Sequence, residues 1–111
     1  MRLVTYNIQF SRGKDDEYNI ERIAHEVSRA DIIALQEVEC NWRRSGLVDQ
    51  AARLAEHLPD YYWGYRPAFD VDASQTAGAK NPKNHRRQFG NMLLSKSPIL
   101  EARLLNLPRL P

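Results

Sequence analysis

The sequence is poor in cysteine, in long apolar runs and in net charge, and each shortage excludes something. The single cysteine, Cys40, cannot form an internal disulfide, which fits a reducing compartment and leaves it as a small side chain. No apolar run approaches the roughly 20 residues needed to cross a bilayer, so a membrane span is excluded. Met1 and Arg2 lead straight into a strand pattern with no apolar leader and cleavage site, which makes a cytoplasmic product the expectation. A formal net charge of +2 is too slight to imply a nucleic-acid partner, although local clustering still matters. There is no internal repeat or low-complexity tract. At 111 residues the chain holds at most one compact core, a single domain or part of one.

Alternation and periodicity place the elements. Residues 2–9 read as a strand with Leu3, Thr5 and Asn7 on one face and Val4, Tyr6 and Ile8 on the other. A charged loop over 11–17 leads to Asn19, which caps a helix whose Ile20, Ile23, Ala24 and Val27 recur every three or four residues. Residues 31–38 follow as a second strand, so strand, helix and strand form a right-handed crossover between parallel neighbours. A polar loop over 39–46 precedes a second amphipathic helix built on Leu47, Ala51, Leu54, Ala55 and Leu58, stopped by Pro59. The aromatic run 61–66 reads as a strand of core residues. Residues 67–87 make a long polar connection, beyond the usual span of about 4 to 6 residues. Residues 88–96 and 99–105, separated by the Ser97-Pro98 turn, read as an antiparallel pair.

Two strand ends carry the candidate chemistry. The apolar run Ile32-Ile33-Ala34-Leu35 stops at Gln36-Glu37, and the first strand stops at Asn7. Parallel neighbours ending this way present an amide oxygen and a carboxylate at the carboxyl end of a sheet, where open α/β sheets place ligand sites. Such a pair suits a hard cation such as magnesium, which takes few carboxylates, retains water and leaves positions for a substrate phosphate. Glu39 shares strand parity with Glu37 but falls in the expected loop, where a surface role is favoured. Lys80, Lys83, His85, Arg86 and Arg87 form a local basic cluster able to steer a phosphate-bearing substrate, or simply a solvated loop.

Four ordered blocks then carry a resemblance that spans nearly the whole chain. Thr5-Tyr6-Asn7-Ile8, Ala34-Leu35-Gln36-Glu37-Val38, Arg43 with Gly46 and Asp49-Gln50, and Gly90 through Ile99 together resemble the endonuclease/exonuclease/phosphatase superfamily. The resemblance implies an α/β (α+β) fold, the DNase I-like sandwich of helices outside two mixed sheets, of which residues 1–111 would be the amino-terminal portion, about the first half of one domain. It implies a Mg2+ (or Mn2+)-dependent hydrolase acting on phosphate esters, a phosphodiesterase or nuclease. Glu37 matches the family's metal-binding glutamate and Asn7 the asparagine beside it, so both are catalytic and metal-site candidates. Asn91, in the Gly-Asn block, is a substrate-side candidate. His85 and Arg87 match no motif and are substrate-side candidates on charge alone.

The family's Gly-Asp-x-Asn and Ser-Asp-His segments do not occur in these 111 residues. His25 and His57 lie in helix patterns and do not follow an aspartate in that tripeptide. The expectation is therefore that the remainder of the domain is a partner lying beyond Pro111, and that this stretch alone is inactive. The alternative is a noncatalytic domain that keeps the fold to bind nucleic acid or a protein. Substrate choice among DNA, RNA, phospholipid and sugar phosphate is left open.

Overall fold

The computed structural model describes residues 1–74, 85–103 and 105. Four strands form one mixed sheet in the order β1-β2-β4-β3. They are β1 (Leu3–Asn7), β2 (Ile32–Cys40), β3 (Tyr62–Asp72) and β4 (Arg86–Ser95), and two helices, α1 (Ile20–Val27) and α2 (Gln50–His57), lie in the β1–β2 and β2–β3 connections.

The amino-terminal crossover forms as its pattern predicts. β1 and β2 pair in parallel with Leu3 opposite Ile32 and Asn7 opposite Gln36. The Asn19 side chain accepts the Arg22 backbone N–H at 3.0 Å, satisfying one of the first-turn donors that a helix leaves unpaired. Ile23, Ala24 and Val27 of α1 then join Ala51 and Leu54 of α2 over Ile33, Leu35, Met92 and Leu94, forming the core on one face of the sheet. The N-cap of α2 is Asp49, which accepts from Ala52 N–H at 3.0 Å. Leu47 therefore lies before the helix, half-exposed at a left-handed backbone position.

The opposite face is the open one: among the described residues only the segment with Ile99, Glu101, Ala102 and Arg103 borders it, along a cleft over Ala34, Gly64 and Leu93. Leu3, Tyr62 and Leu93 are 67%, 52% and 42% exposed there, and their cross-strand partners on the same face include Ala34 and Gly64.

Several expectations are corrected. Residues 99–103 and 105 form no strand; β4 pairs instead with β2 on one side and β3 on the other, because a central strand satisfies both its ladders where a terminal hairpin satisfies one. β3 runs to Asp72 and β4 begins at Arg86, so the long connection is shorter than the composition of 67–87 implies. Its middle, with Lys80 and Lys83, lies outside the described residues. Of the aromatic run, Tyr61 is buried, but Tyr62 and Trp63 are 52% and 43% exposed because β3 is an edge strand. β2 continues through Glu39 and Cys40, which are buried, where a polar loop and a surface Glu39 were expected. Among the described residues no helix is long and apolar enough to cross a membrane.

Candidate metal and phosphate site

A bulge in β2 decides where Glu37 stands. The β2–β4 register runs from Leu35 opposite Met92 to Val38 opposite Gly90, so two residues of β2, Gln36 and Glu37, face the single Asn91. Leu35 and Val38 are both fully buried in the helix-side core. The two residues between them therefore belong to the open face, re-aimed by the extra residue as bulges do. Strict alternation would have sent Glu37 into the core beside Leu35. The Glu37 backbone has φ +58°, a left-handed conformation that costs a non-glycine residue about 1 kcal/mol or more.

Asn7 stands on that same face, since Leu3, Thr5 and Asn7 alternate with Val4 and the buried strand-end Ile8. Its pairing partner is Gln36, about 4.8 Å away across adjacent strands. The Gln36 amide donates to Thr5 Oγ1 at 3.0 Å, which ties β1 to the bulge. Asn7 Oδ1 accepts the Gln9 N–H at 3.0 Å, which leaves a second lone pair and the NH₂ group without a partner among the described residues. Asn91 is exposed between the buried Gly90 and Met92, directly across from the bulge. By register, Asn7, Glu37 and Asn91 thus share one face near the carboxyl end of the parallel pair.

Among the described residues, Glu37 is also the uncommitted carboxylate of this region. Glu39 is fully buried and paired with Arg44 at 2.7 Å, with Ser45 Oγ donating to it at 2.6 Å. Asp70 pairs with Arg86 at 2.8 Å. Asp72 accepts from the Ser74 hydroxyl and backbone N–H, which hold its carboxyl below the usual range. Half-buried Glu37 enters no ion pair among the described residues. No group of three or more His, Cys, Asp or Glu side chains gathers among the described residues. One carboxylate with one amide oxygen does not make a closed zinc-type cage, which needs four ligands. It does fit a hard, oxygen-seeking ion that keeps most of its water.

Sequence reasoning missed the frame around this site. The Gln50 side chain accepts the Glu39 N–H at 3.1 Å and donates to the Phe10 carbonyl at 2.7 Å. Arg44 spans from Glu39 to the Phe10 ring, 3.7 Å from its centroid. These contacts fasten the turn after Asn7 to the strand after Glu37. The one legible signal was the shared parity of Glu39 and Glu37. The remaining two predicted residues lie elsewhere. Arg87 is four residues before Asn91 in β4, roughly 13 Å along the strand, and it and His85 line a separate cleft with Asn41 and Arg43.

The endonuclease/exonuclease/phosphatase family model matches residues 4–111. The chain belongs to this family. The crystal structure of an endonuclease/exonuclease/phosphatase from Beutenbergia cavernae DSM 12333 resembles it with a TM-score of 0.63 at 24% identity, over 92% of this chain and 27% of that one. At that identity the likeness shows the fold, which is the DNase I-like one expected for the family. No curated protein matches the chain. Family membership gives a phosphoesterase-type fold, and enzymes of the endonuclease/exonuclease/phosphatase family typically use divalent metals.

Proposed function

We propose that this chain supplies the metal-binding half of a divalent-metal-dependent phosphoesterase site, as the amino-terminal portion of a single endonuclease/exonuclease/phosphatase domain. The observation that carries the reading is the bulge, which brings Glu37 out of the core and onto the face of Asn7 and Asn91. The remainder of the domain would cover the apolar open face, in keeping with a chain that spans 27% of the solved relative.

Glu37 holds Mg2+ (or Mn2+) in this reading, with Asn7 Oδ1 beside it. Bound there, the ion supplies polarisation of a phosphoryl oxygen and neutralises charge developing on it, worth several kcal/mol in the transition state. The Asn7 NH₂, which has no partner among the described residues, would donate to a phosphate oxygen, and so would the Asn91 amide from across the bulge. Neutral amides orient the ester without adding negative charge that would repel it. Loss of Glu37 would remove the only uncommitted carboxylate that this face offers among the described residues.

The test is hydrolysis of bis-(p-nitrophenyl) phosphate by the whole domain, with magnesium, with EDTA, and as Glu37→Ala. The expected result is metal-dependent turnover lost by at least 100-fold in the variant. Turnover independent of metal, or unchanged in Glu37→Ala, would remove this site from the reaction.

A further inference from the structure

The chain that follows Asn7 turns in a way its residues resist. Gln9, Phe10 and Ser11 have φ of +47°, +44° and +70°, three successive left-handed positions with no glycine among them, and the Cβ of each is crowded there. Ser11 adds to the strain, since its buried Oγ has no hydrogen-bond partner among the described residues. A conformation of this kind persists only where its surroundings over-determine it.

The contacts that hold the turn down come from other elements. Two backbone bonds close it, from Ser11 N–H to the Ile8 carbonyl and from Arg12 N–H to the Gln9 carbonyl. The Arg44 guanidinium covers the Phe10 ring, and the Phe10 carbonyl accepts from Gln50 Nε2. Gln50 is 1% exposed and is the first residue of α2. Its neighbour Asp49 caps that helix and bridges to Cys40 at the end of β2, so the backbone from which Gln50 reaches is itself anchored. Its amide works at both ends, donating to Phe10 and accepting from the Glu39 N–H. A carboxamide offers the donor and the acceptor that these two groups require.

Each end leads to one of the ligand candidates. Phe10 follows Gln9, whose N–H takes one lone pair of Asn7 Oδ1 and so orients that carboxamide. Glu39 lies two residues beyond Glu37, at the far side of the bulge. We propose that Gln50 is a positioning residue, which clamps the strained turn against the bulged strand so that Asn7 and Glu37 face a single divalent ion. The inference rests on the metal reading above and adds to it a residue remote from both ion and ester. Without Gln50 the turn relaxes towards ordinary backbone angles. The fraction of molecules competent for the ion then falls, and the apparent affinity falls with it.

The experiment combines hydrogen exchange with Mn2+ titration followed by electron paramagnetic resonance, on the whole domain as wild type, Gln50→Met, Ser11→Gly and Gln50→Met/Ser11→Gly. Gln50→Met keeps a side chain of similar length and removes both hydrogen bonds. Without metal, the amides of Gln9, Ser11 and Arg12 should exchange about tenfold faster in Gln50→Met, with the β1–β2 ladder unchanged. Mn2+ affinity should fall about tenfold in the same variant. Ser11→Gly alone should leave the affinity within about twofold, because the turn is already held. In the Gln50→Met background it should restore affinity several-fold, because glycine takes φ +70° without strain. A residue that merely fills the core would lower the melting temperature and leave the affinity of the folded domain alone. Affinity within about twofold of the wild type in Gln50→Met, absence of rescue by Ser11→Gly, or unchanged exchange at the turn would each overturn the positioning role. A wild type that takes up no Mn2+ would overturn the metal reading and the proposal with it; exchange that still rises in Gln50→Met tells that failure from one of Gln50 alone. If Gln50→Met does not fold, Gln50→Glu, which keeps the acceptor for Glu39 and loses the donor to Phe10, carries the same expectations.

Discussion

Leu35 and Val38 are three residues apart in β2, yet both are fully buried on the helix side of the sheet. An alternating strand cannot do this without one residue too many, and the surplus is what turns Glu37 outward. The left-handed Glu37 backbone is the local cost of that turn. Glu37→Gly should therefore be at least as stable as the wild type by thermal melting, since glycine adopts this conformation freely, while losing Mn2+. A melting temperature lower by several degrees would show that the carboxylate, not the conformation, holds the bulge.

The buried Glu39 carboxylate depends on Arg44, but the reverse is less true. Glu39 has no exposed side-chain surface, whereas Arg44 is 41% exposed. Arg44→Ala leaves a buried charge with the Ser45 hydroxyl as its remaining side-chain donor and should cost about 3 to 5 kcal/mol. Glu39→Gln keeps acceptors for Ser45 and Arg44 while the cation turns to water, and should cost about 1 to 2 kcal/mol. Urea unfolding of the two variants measures the difference; equal losses would mean that burial of the carboxylate does not govern the pair.

Two strand glycines face different surroundings. A Cβ on Gly90 would meet the Arg66 carbonyl oxygen and lie 2.6 Å from Pro67 Cα, whereas one on Gly64 would meet nothing within 4 Å. Gly90→Ala must push β3 away from β4 and should cost about 3 kcal/mol or more. Gly64→Ala should stay within about 1 kcal/mol of the wild type. Similar unfolding midpoints for the two would place the β3 backbone elsewhere.

Acid stability follows from Asp15. Its hydrogen bonds from Arg22, and then the Glu17 backbone N–H, hold its carboxyl at about 2, below the usual 3.8. A carboxylate depressed in the folded state adds stability above its unfolded value, and that stability is lost as pH falls towards the folded one. The melting temperature should drop between about pH 4 and 2, and Asp15→Asn should show a shallower drop in that window. Parallel curves for both proteins would mean that the Arg22 contact does not persist in solution.

Much of this architecture was readable from residue order, and the unreadable parts share a cause. The β1–α1–β2 crossover follows from local periodicity and from the Asn19 cap, both properties of neighbouring residues. The convergence of Asn7, Glu37 and Asn91 was legible only in part. The family blocks pointed to these residues, but alternation alone puts Glu37 on the wrong face, because a bulge is set by register against a partner strand far away in sequence. The same holds for Glu39, which stands opposite Phe89 of β4 and whose N–H is taken by Gln50, itself tied back to Phe10. The strand expected over 99–105 does not form at 99–103 and 105, because β4 finds its partners in β2 and β3, a choice set by segments far away in sequence.

The most direct measurement is a titration with Mn2+ followed by electron paramagnetic resonance, on the wild type, Glu37→Gln and Asn7→Ala. One ion bound per chain, lost in Glu37→Gln and weakened about tenfold in Asn7→Ala, is the predicted result. Stoichiometric binding that neither substitution disturbs would contradict it.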